Sequence, residues 1–451
     1  MIIKTLAATL ALCAAALPAL AAPKGLDKIN HVVVIYLENR SFDNMYALFP
    51  GADNLLGKTK WLPQVDKDGK LYAELPPVID TDDKPHHVDA RFPLHLSNAP
   101  FMIDQYVPQN EATGDLVHRF YQNQLQIDGG KNDKFAAYSD AAGLVMGFYD
   151  ARNTKMWSYA KQYTLADHFF QGAFGGSFLN HMMLVCACAP KFAGDAPESI
   201  KAQLDAKGEL VKDGMLTPDG YAVNTIYSVF QPHPAKATDK SKLLPALTEP
   251  NIGDRLSEKN VSWAWYSGGW NDAIAGKPDK TFQYHHQALA YFANYGDGTP
   301  GRAAHLKDEA DLYADIAKGS LPSVTFFKPL GLENQHPGYA NIRNGDLRAA
   351  DIIEKLQQSP MWPHTAIIVT CDENGGFWDH VAPPKGNRWG PGTRIPALVI
   401  SPFARKGYVD HHSYDTTSIL KLIETRWHLA PLTERDAKAG DLRHAFVFGT
   451  K

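Results

Sequence analysis

The run His31-Val32-Val33-Val34-Ile35-Tyr36-Leu37 passes directly into Glu38-Asn39-Arg40-Ser41-Phe42-Asp43. A continuous β-branched stretch without polar alternation marks a strand buried on both faces, as at the centre of a parallel sheet. Comparable runs recur at residues 261–267, 324–328, 364–371 and 395–401. Between and after them, residues 346–358 and 414–429 space apolar side chains three and four positions apart, as amphipathic helices do. Buried strands alternating with such helices predict an α/β fold, with a central, mostly parallel sheet sandwiched by helices. Two stretches break the alternation. Residues 50–115 are rich in Pro and Asp, and residues 191–255 are dominated by Ala, Lys, Asp and Pro; both read as lid-like insertions on the main domain. The sequence has no internal repeat and no low-complexity segment.

The 451 residues include 45 basic and 49 acidic side chains, a formal charge of −4, with 44% hydrophobic and 21% charged residues. That balance fits a globular chain and leaves no basic surplus to attract nucleic acid. Lys4, an apolar run over residues 6–17 and Ala19-Leu20-Ala21 supply a charged segment, a short hydrophobic segment and an Ala-x-Ala site. They predict a secretory signal over residues 1–21, since the apolar run falls short of the roughly 20 residues that span a bilayer. Residues 22–451 are then expected to form one exported catalytic domain, periplasmic or secreted, with no integral membrane segment. Losing Lys4 with the signal takes the charge to −5 (−4 − 1). Cys186, Cys188 and Cys371 remain. Their odd number excludes a complete disulfide framework, and Cys186-Ala187-Cys188 lacks the second pair of a zinc site. Buried thiols, or one bridge to Cys371, are the expectation.

Two acidic pairs fall at strand ends, where α/β enzymes bind ligands. The first strand ends in Glu38-Asn39 and the strand over 364–371 ends in Asp372-Glu373-Asn374-Gly375-Gly376. Neighbours on a strand face opposite ways, but beyond its end both can turn toward one ion. Glu38, Asn39, Asp372 and Glu373 would then offer an all-oxygen set suited to a hard divalent cation. Either pair alone reads more simply as caps and turn residues; two pairs at two strand ends point to a metal. The stretch Gln171-Gly172-Ala173-Phe174-Gly175-Gly176-Ser177 opens an apolar helix over 178–188. Ser177 is either an N-cap or a nucleophile activated by a base or a metal. A helix start favours an anion, and the glycines let a ligand approach the backbone, which supports the second role. His118, His285, His286 and His336 are candidate phosphate or proton-transfer groups. His86, His87, His380, His411 and His412 are further ones that composition does not separate.

Together these blocks resemble the bacterial phosphoesterase family of phospholipases C and acid phosphatases. The resemblance rests on Glu38-Asn39-Arg40-Ser41-Phe42-Asp43, His118 with Gly129-Gly130-Lys131-Asn132-Asp133, and Gly175-Gly176-Ser177. It continues through His285-His286, Asn334-Gln335-His336-Pro337-Gly338 and Asp372-Glu373-Asn374-Gly375-Gly376-Phe377-Trp378-Asp379-His380-Val381. It implies an alkaline-phosphatase-like fold and a single metal, Mg, Ca, Mn or Fe, on Glu38, Asn39, Ser177, Asp372 and Glu373. It also implies phosphate-binding or proton-transferring roles for His118, His285, His286 and His336. The resemblance further implies a split at the nucleophile, Thr in the phospholipases C and Ser, as here, in the acid phosphatases. Phospholipase members tend to carry extra C-terminal β domains, for which about 20 residues after Trp427-His428 leave no room. The expected activity is therefore phosphomonoester hydrolysis through a phosphoserine, at acidic pH if the histidines are cationic. A phospholipase C-type diesterase acting on phosphocholine lipids is the alternative. A non-catalytic metal-stabilised binding protein is the outside one. A sulfatase is disfavoured, because no Cys-x-Pro-x-Arg motif is present.

Overall fold

The protein is described here by a computed structural model covering residues 25–57 and 60–449; the expected signal over 1–21 lies outside the described residues. Strand β1, His31–Leu37, lies inside an eight-stranded sheet. The other strands are β2 Thr164–Ala166, β3 Trp263–Ser267, β4 Leu306–Asp308, β5 Val324–Lys328, β6 Thr365–Cys371, β7 Ala397–Ile400 and β8 Tyr408–Asp410. Across the sheet their order is β4-β3-β5-β1-β6-β7-β2-β8. Seven run one way and β7 alone runs against them. The mostly parallel α/β architecture expected from the buried runs is therefore the one observed. The runs at 261–267 and 395–401 are trimmed at their ends. The short strands β2, β4 and β8, three residues each, carry no comparable apolar signal.

The main helices are α1 Phe42–Tyr46, α2 Phe120–Ile127, α3 Lys155–Gln162, α4 Ser177–Cys186, α5 Glu309–Lys318, α6 Ile342–Gln358 and α7 Thr417–Trp427. Alternate residues of β1 feed two cores. Val32, Val34 and Tyr36 pack with Phe178, Leu179 and Met182 of α4 and Ile419, Leu422 and Ile423 of α7. Val33, Ile35 and Leu37 pack with Met156 and Trp157 of α3, Leu312 of α5 and Ile352 and Ile353 of α6. Burial on both faces, worth about 1.5–3 kcal/mol per large apolar side chain, explains the absence of alternation in the strand. Helix α6 starts four residues earlier than its apolar pattern, because Asn341 caps it by accepting from the Asn344 N–H. The stretches 50–115 and 191–255 form short two-stranded ribbons outside the main sheet. Among the described residues no helix is long and apolar enough to cross a membrane.

The cysteines differ from expectation. Cys186 is bonded to Cys188, while Cys371 is a buried free thiol at the end of β6. Ala187 ends α4 in a left-handed conformation (φ 49), and that reversal brings the two sulfurs together locally.

Candidate active site

Register sets the site. Leu37 of β1 pairs with Cys371 of β6, so Glu38-Asn39 and Asp372-Glu373 emerge side by side at the carboxyl end of the sheet. Asn39 turns left-handed (φ 55), and its N–H donates to Asp372 Oδ1 at 3.3 Å. Gly375, at φ +62, lies so close that a Cβ there would sit 2.4 Å from the Asn39 carbonyl oxygen. The residues after Asn39 fasten the loop. Buried Arg40 donates to the Gln335 carbonyl at 2.7 and 3.1 Å. Ser41 caps α1 and donates to the Trp378 carbonyl at 2.7 Å. Asp43 accepts from Arg394 at 3.1 Å. Arg394, fully buried, also donates to Asp379 at 2.9 Å and to the carbonyls of Asp53 and Asp167. One guanidinium thus clamps the loop after β1 to the loop after β6.

Helix α4 begins at Ser177, with Gly176 in the capping position, so the serine side chain is not a cap. Asn180, one turn on, shapes the glycine turn by accepting from the Ala173 N–H at 2.8 Å and donating to the Gly175 carbonyl at 3.1 Å. The Ser177 hydroxyl donates to Asn39 Oδ1 at 3.5 Å. His118 Nε2 is 3.4 Å from Asn39 Nδ2 and 3.7 Å from Glu373 Oε1. Opposite, Glu38 Oε1 meets His286 Nε2 and, at 2.8 Å, Lys328 Nζ. His336 Nε2 is 3.8 Å from Glu38 Oε2, and the His285 and His286 rings meet edge-on with centroids 4.8 Å apart. All nine residues expected from the sequence are therefore gathered in one place.

The donor set suits a divalent cation. Asp372 Oδ2 and Glu373 Oε1 are buried without hydrogen-bond partners, a costly state for ionised carboxylates. Burial pushes Asp372 up to about 6 and holds Glu373 well above the usual carboxylate range. A hard cation among these oxygens, Asn39 and the Ser177 hydroxyl would restore the ionised forms. The four histidines are pushed in different directions. Burial, with His286 and Lys328 adding, depresses His285 well below the ordinary imidazole range. Burial brings His286 down to about 4 and lowers His336. Only His118 rises: burial opposes it, but Glu373 and Asp115 raise it to about 9.

A cavity of about 250 Å³ opens on the cluster, lined by Glu38, Ser177, His118, His285, His336 and Tyr339. Asp115 from one ribboned stretch and Asn224 and Thr225 from the other complete its lining. The Arg119–Asp213 ion pair ties the second stretch to this rim. Two buried residues of the site escaped sequence reasoning. Lys328 ends the otherwise apolar β5, and a lone charge closing such a strand was the available signal. His181 sits one turn after Ser177 on α4, its Nδ1 2.7 Å from the Ser177 carbonyl oxygen. Other resemblance residues are braces. Asn132 donates to the carbonyls of Asp379 and Val381, and His380 bridges Asp43 and Asp53 at 2.7 and 3.0 Å. His411 and His412 pair with Asp167 and Asp410, and His86 and His87 are exposed, all outside the site.

A helix-flanked, mostly parallel sheet thus presents a serine among buried carboxylates at its carboxyl end. The chain belongs to the Phosphoesterase family, whose sequence model matches residues 29–430. It is similar to phospholipase C B of Mycobacterium tuberculosis, 26% identical over 487 residues that cover 94% of this chain and 79% of that protein. It is also similar to the non-hemolytic phospholipase C of Pseudomonas aeruginosa, 22% identical and covering 96% of this chain and 59% of that one. Among solved structures, a protein in the alkaline phosphatase superfamily from Vibrio parahaemolyticus aligns with a TM-score of 0.35 and 12% identity, over 74% of this chain and 73% of that one.

Proposed function

We propose that the chain hydrolyses phosphate monoesters through a phosphoserine formed on Ser177, with one divalent metal ion held by Glu38, Asn39, Ser177, Asp372 and Glu373. One observation carries this reading: a serine hydroxyl at a helix start, 3.5 Å from Asn39 Oδ1 and beside carboxylate oxygens that lack partners. When bound, the metal, one of Mg, Ca, Mn or Fe, supplies Lewis acidity toward the Ser177 hydroxyl and a phosphate oxygen. The first turn of α4 offers N–H groups without intrahelical partners, and its dipole favours the phosphate charge. Ser177 Oγ attacks phosphorus in line, forming the P–O bond as the ester oxygen leaves and takes up a proton. Water then opens the phosphoserine by a second in-line attack, returning the hydroxyl and releasing phosphate. His118, beside Glu373, balances charge on the equatorial oxygens, while His285, His286 and His336 hydrogen-bond the phosphate or carry the proton to the leaving oxygen.

The cavity of about 250 Å³ has room for the phosphate head of either substrate class. Phospholipase C-type cleavage of phosphocholine lipids is the second reading, supported by the relatives' names. Nitrophenyl phosphate, its bis-ester and nitrophenylphosphocholine separate the two. Highest kcat/KM on the monoester is expected; preference for either diester installs the second reading. Unchanged hydrolysis by Ser177→Ala removes the nucleophile assignment. The reading also takes residues 1–21 as an export signal and 22–451 as one catalytic domain bearing both insertions. The Cys186–Cys188 bridge supports a periplasmic or secreted location. Sequencing the amino terminus of the mature chain, expected to begin at Ala22, tests it.

A further inference from the structure

Beyond the oxygen-rich cluster lies a second set of donors, on its sheet side. Glu38, His181 and His286 are all buried, and each offers one ligand atom within 4.8 Å of the others. His181 Nε2 and Asp372 Oδ2 have no hydrogen-bond partner, while His286 Nε2 already meets Glu38 Oε1. Two imidazoles and a carboxylate that converge in this way suit a transition-metal ion such as zinc. Lys328 reaches the carboxylate of this set and its neighbour Asp372. Its Nζ is fully buried, 2.8 Å from Glu38 Oε1, 3.7 Å from Asp372 Oδ2 and 3.2 Å from the Leu37 carbonyl oxygen, over the face of Tyr36.

Charge decides between a second metal and the lysine. Glu38, Asp372 and Glu373 bring three buried carboxyl groups to the site. One divalent ion and the Lys328 ammonium already set three positive charges against these three carboxylates, with His118 beside Glu373, and a second divalent ion would add two more. Uncompensated charge in a buried site is strongly unfavourable. We propose that Lys328 is a built-in cation that stands in the place of a second metal ion among Glu38, His181 and His286 and so holds the enzyme at one metal per chain. This rests on the one-metal reading of the neighbouring site. It makes Lys328 a positioning residue: it holds Glu38 toward the sheet and leaves the phosphate side of the cluster to a single metal.

The test is metal stoichiometry, read independently of activity. Full-length mature protein is stripped with chelator, titrated with Zn2+ by calorimetry, and its bound metal counted by plasma emission after desalting. Wild type is expected to bind one equivalent, Lys328→Ala two, and Lys328→Ala with His286→Ala one again. Lys328→Met keeps the bulk without the charge and is expected to gain more thermal stability from Zn2+ than wild type does. That comparison decides the matter even if the alanine variant fails to fold without metal. Two equivalents on wild type overturn the proposal, as does one equivalent on folded Lys328→Ala, or an equal zinc-induced shift for Lys328→Met and wild type. A wild type that binds no ion refutes the one-metal reading itself, which keeps the two failures distinct.

Discussion

Arg394→Met removes the clamp between the two loops that carry Glu38, Asn39, Asp372 and Glu373. The side chains are similar in length, so what is lost is charge and hydrogen bonding. The fully buried guanidinium donates to Asp43, to Asp379 and to two backbone carbonyls. Breaking one partner of a buried ion pair costs about 3–5 kcal/mol. Here the lower end applies, because Asp43 keeps His380 at 2.7 Å and Asp379 keeps the Asp43 and Val381 N–H groups at 2.9 Å. The loss is therefore expected at about 3 kcal/mol near neutral pH. Its pH dependence carries a sign. Burial already raises Asp379 to about 6, and losing Arg394 raises it further. Below that value a proton neutralises the orphaned carboxylate, so the deficit shrinks at pH 5 and is full at pH 8. Urea unfolding of the metal-loaded protein at both pH values measures it, and a metal titration of the folded variant should show weakened binding. A loss under about 1 kcal/mol at pH 8, or a larger loss at pH 5 than at pH 8, refutes the clamp.

Gly375→Ala places a Cβ against the Asn39 backbone at a left-handed position. Strain of about 1–2 kcal/mol and overpacking of about 1–3 kcal/mol should appear as lost stability and weaker metal binding. Gly208→Ala, also left-handed (φ +83) but with nothing within 4 Å, should lose only the strain and leave metal binding unchanged; equal effects refute the contact. Glu424, raised by burial and Asp436 to about 9, should make the protein less stable as pH rises from about 4.5 toward 9. In that window the folded chain keeps a proton that the unfolded chain releases, at up to about 1.4 kcal/mol per pH unit. Glu424→Gln removes this slope, so its melting temperature relative to wild type should climb between pH 5 and pH 8.5; a flat difference refutes the assignment.

The sheet was legible wherever a strand is buried on both faces, because Val32 to Leu37 or Ile367 to Val369 leave no room for polar alternation. The edge strands were not, since Leu306-Lys307-Asp308 pairs on one side only and carries no apolar excess. In the site, Glu38-Asn39 and Asp372-Glu373 were legible as carboxylates closing buried strands, and Ser177 as the residue after a glycine turn. Lys328 and His181 were not, because their meaning lies in what faces them across the sheet, which one-dimensional spacing does not carry. The same limit applies to Cys186 and Cys188, whose bridge depends on the left-handed turn at Ala187. The histidines were legible, but the push of burial and Lys328 on His285 and His286 is a property of the folded chain.

Quenching metal-loaded enzyme in acid during turnover of nitrophenyl phosphate, then mapping the peptides by mass spectrometry, addresses the nucleophile directly. A phosphoryl group is expected on the peptide carrying Ser177, and it should be absent from Ser177→Ala. Phosphate found on a histidine, or steady turnover with Ser177 never modified and Ser177→Ala fully active, would contradict the role of that serine.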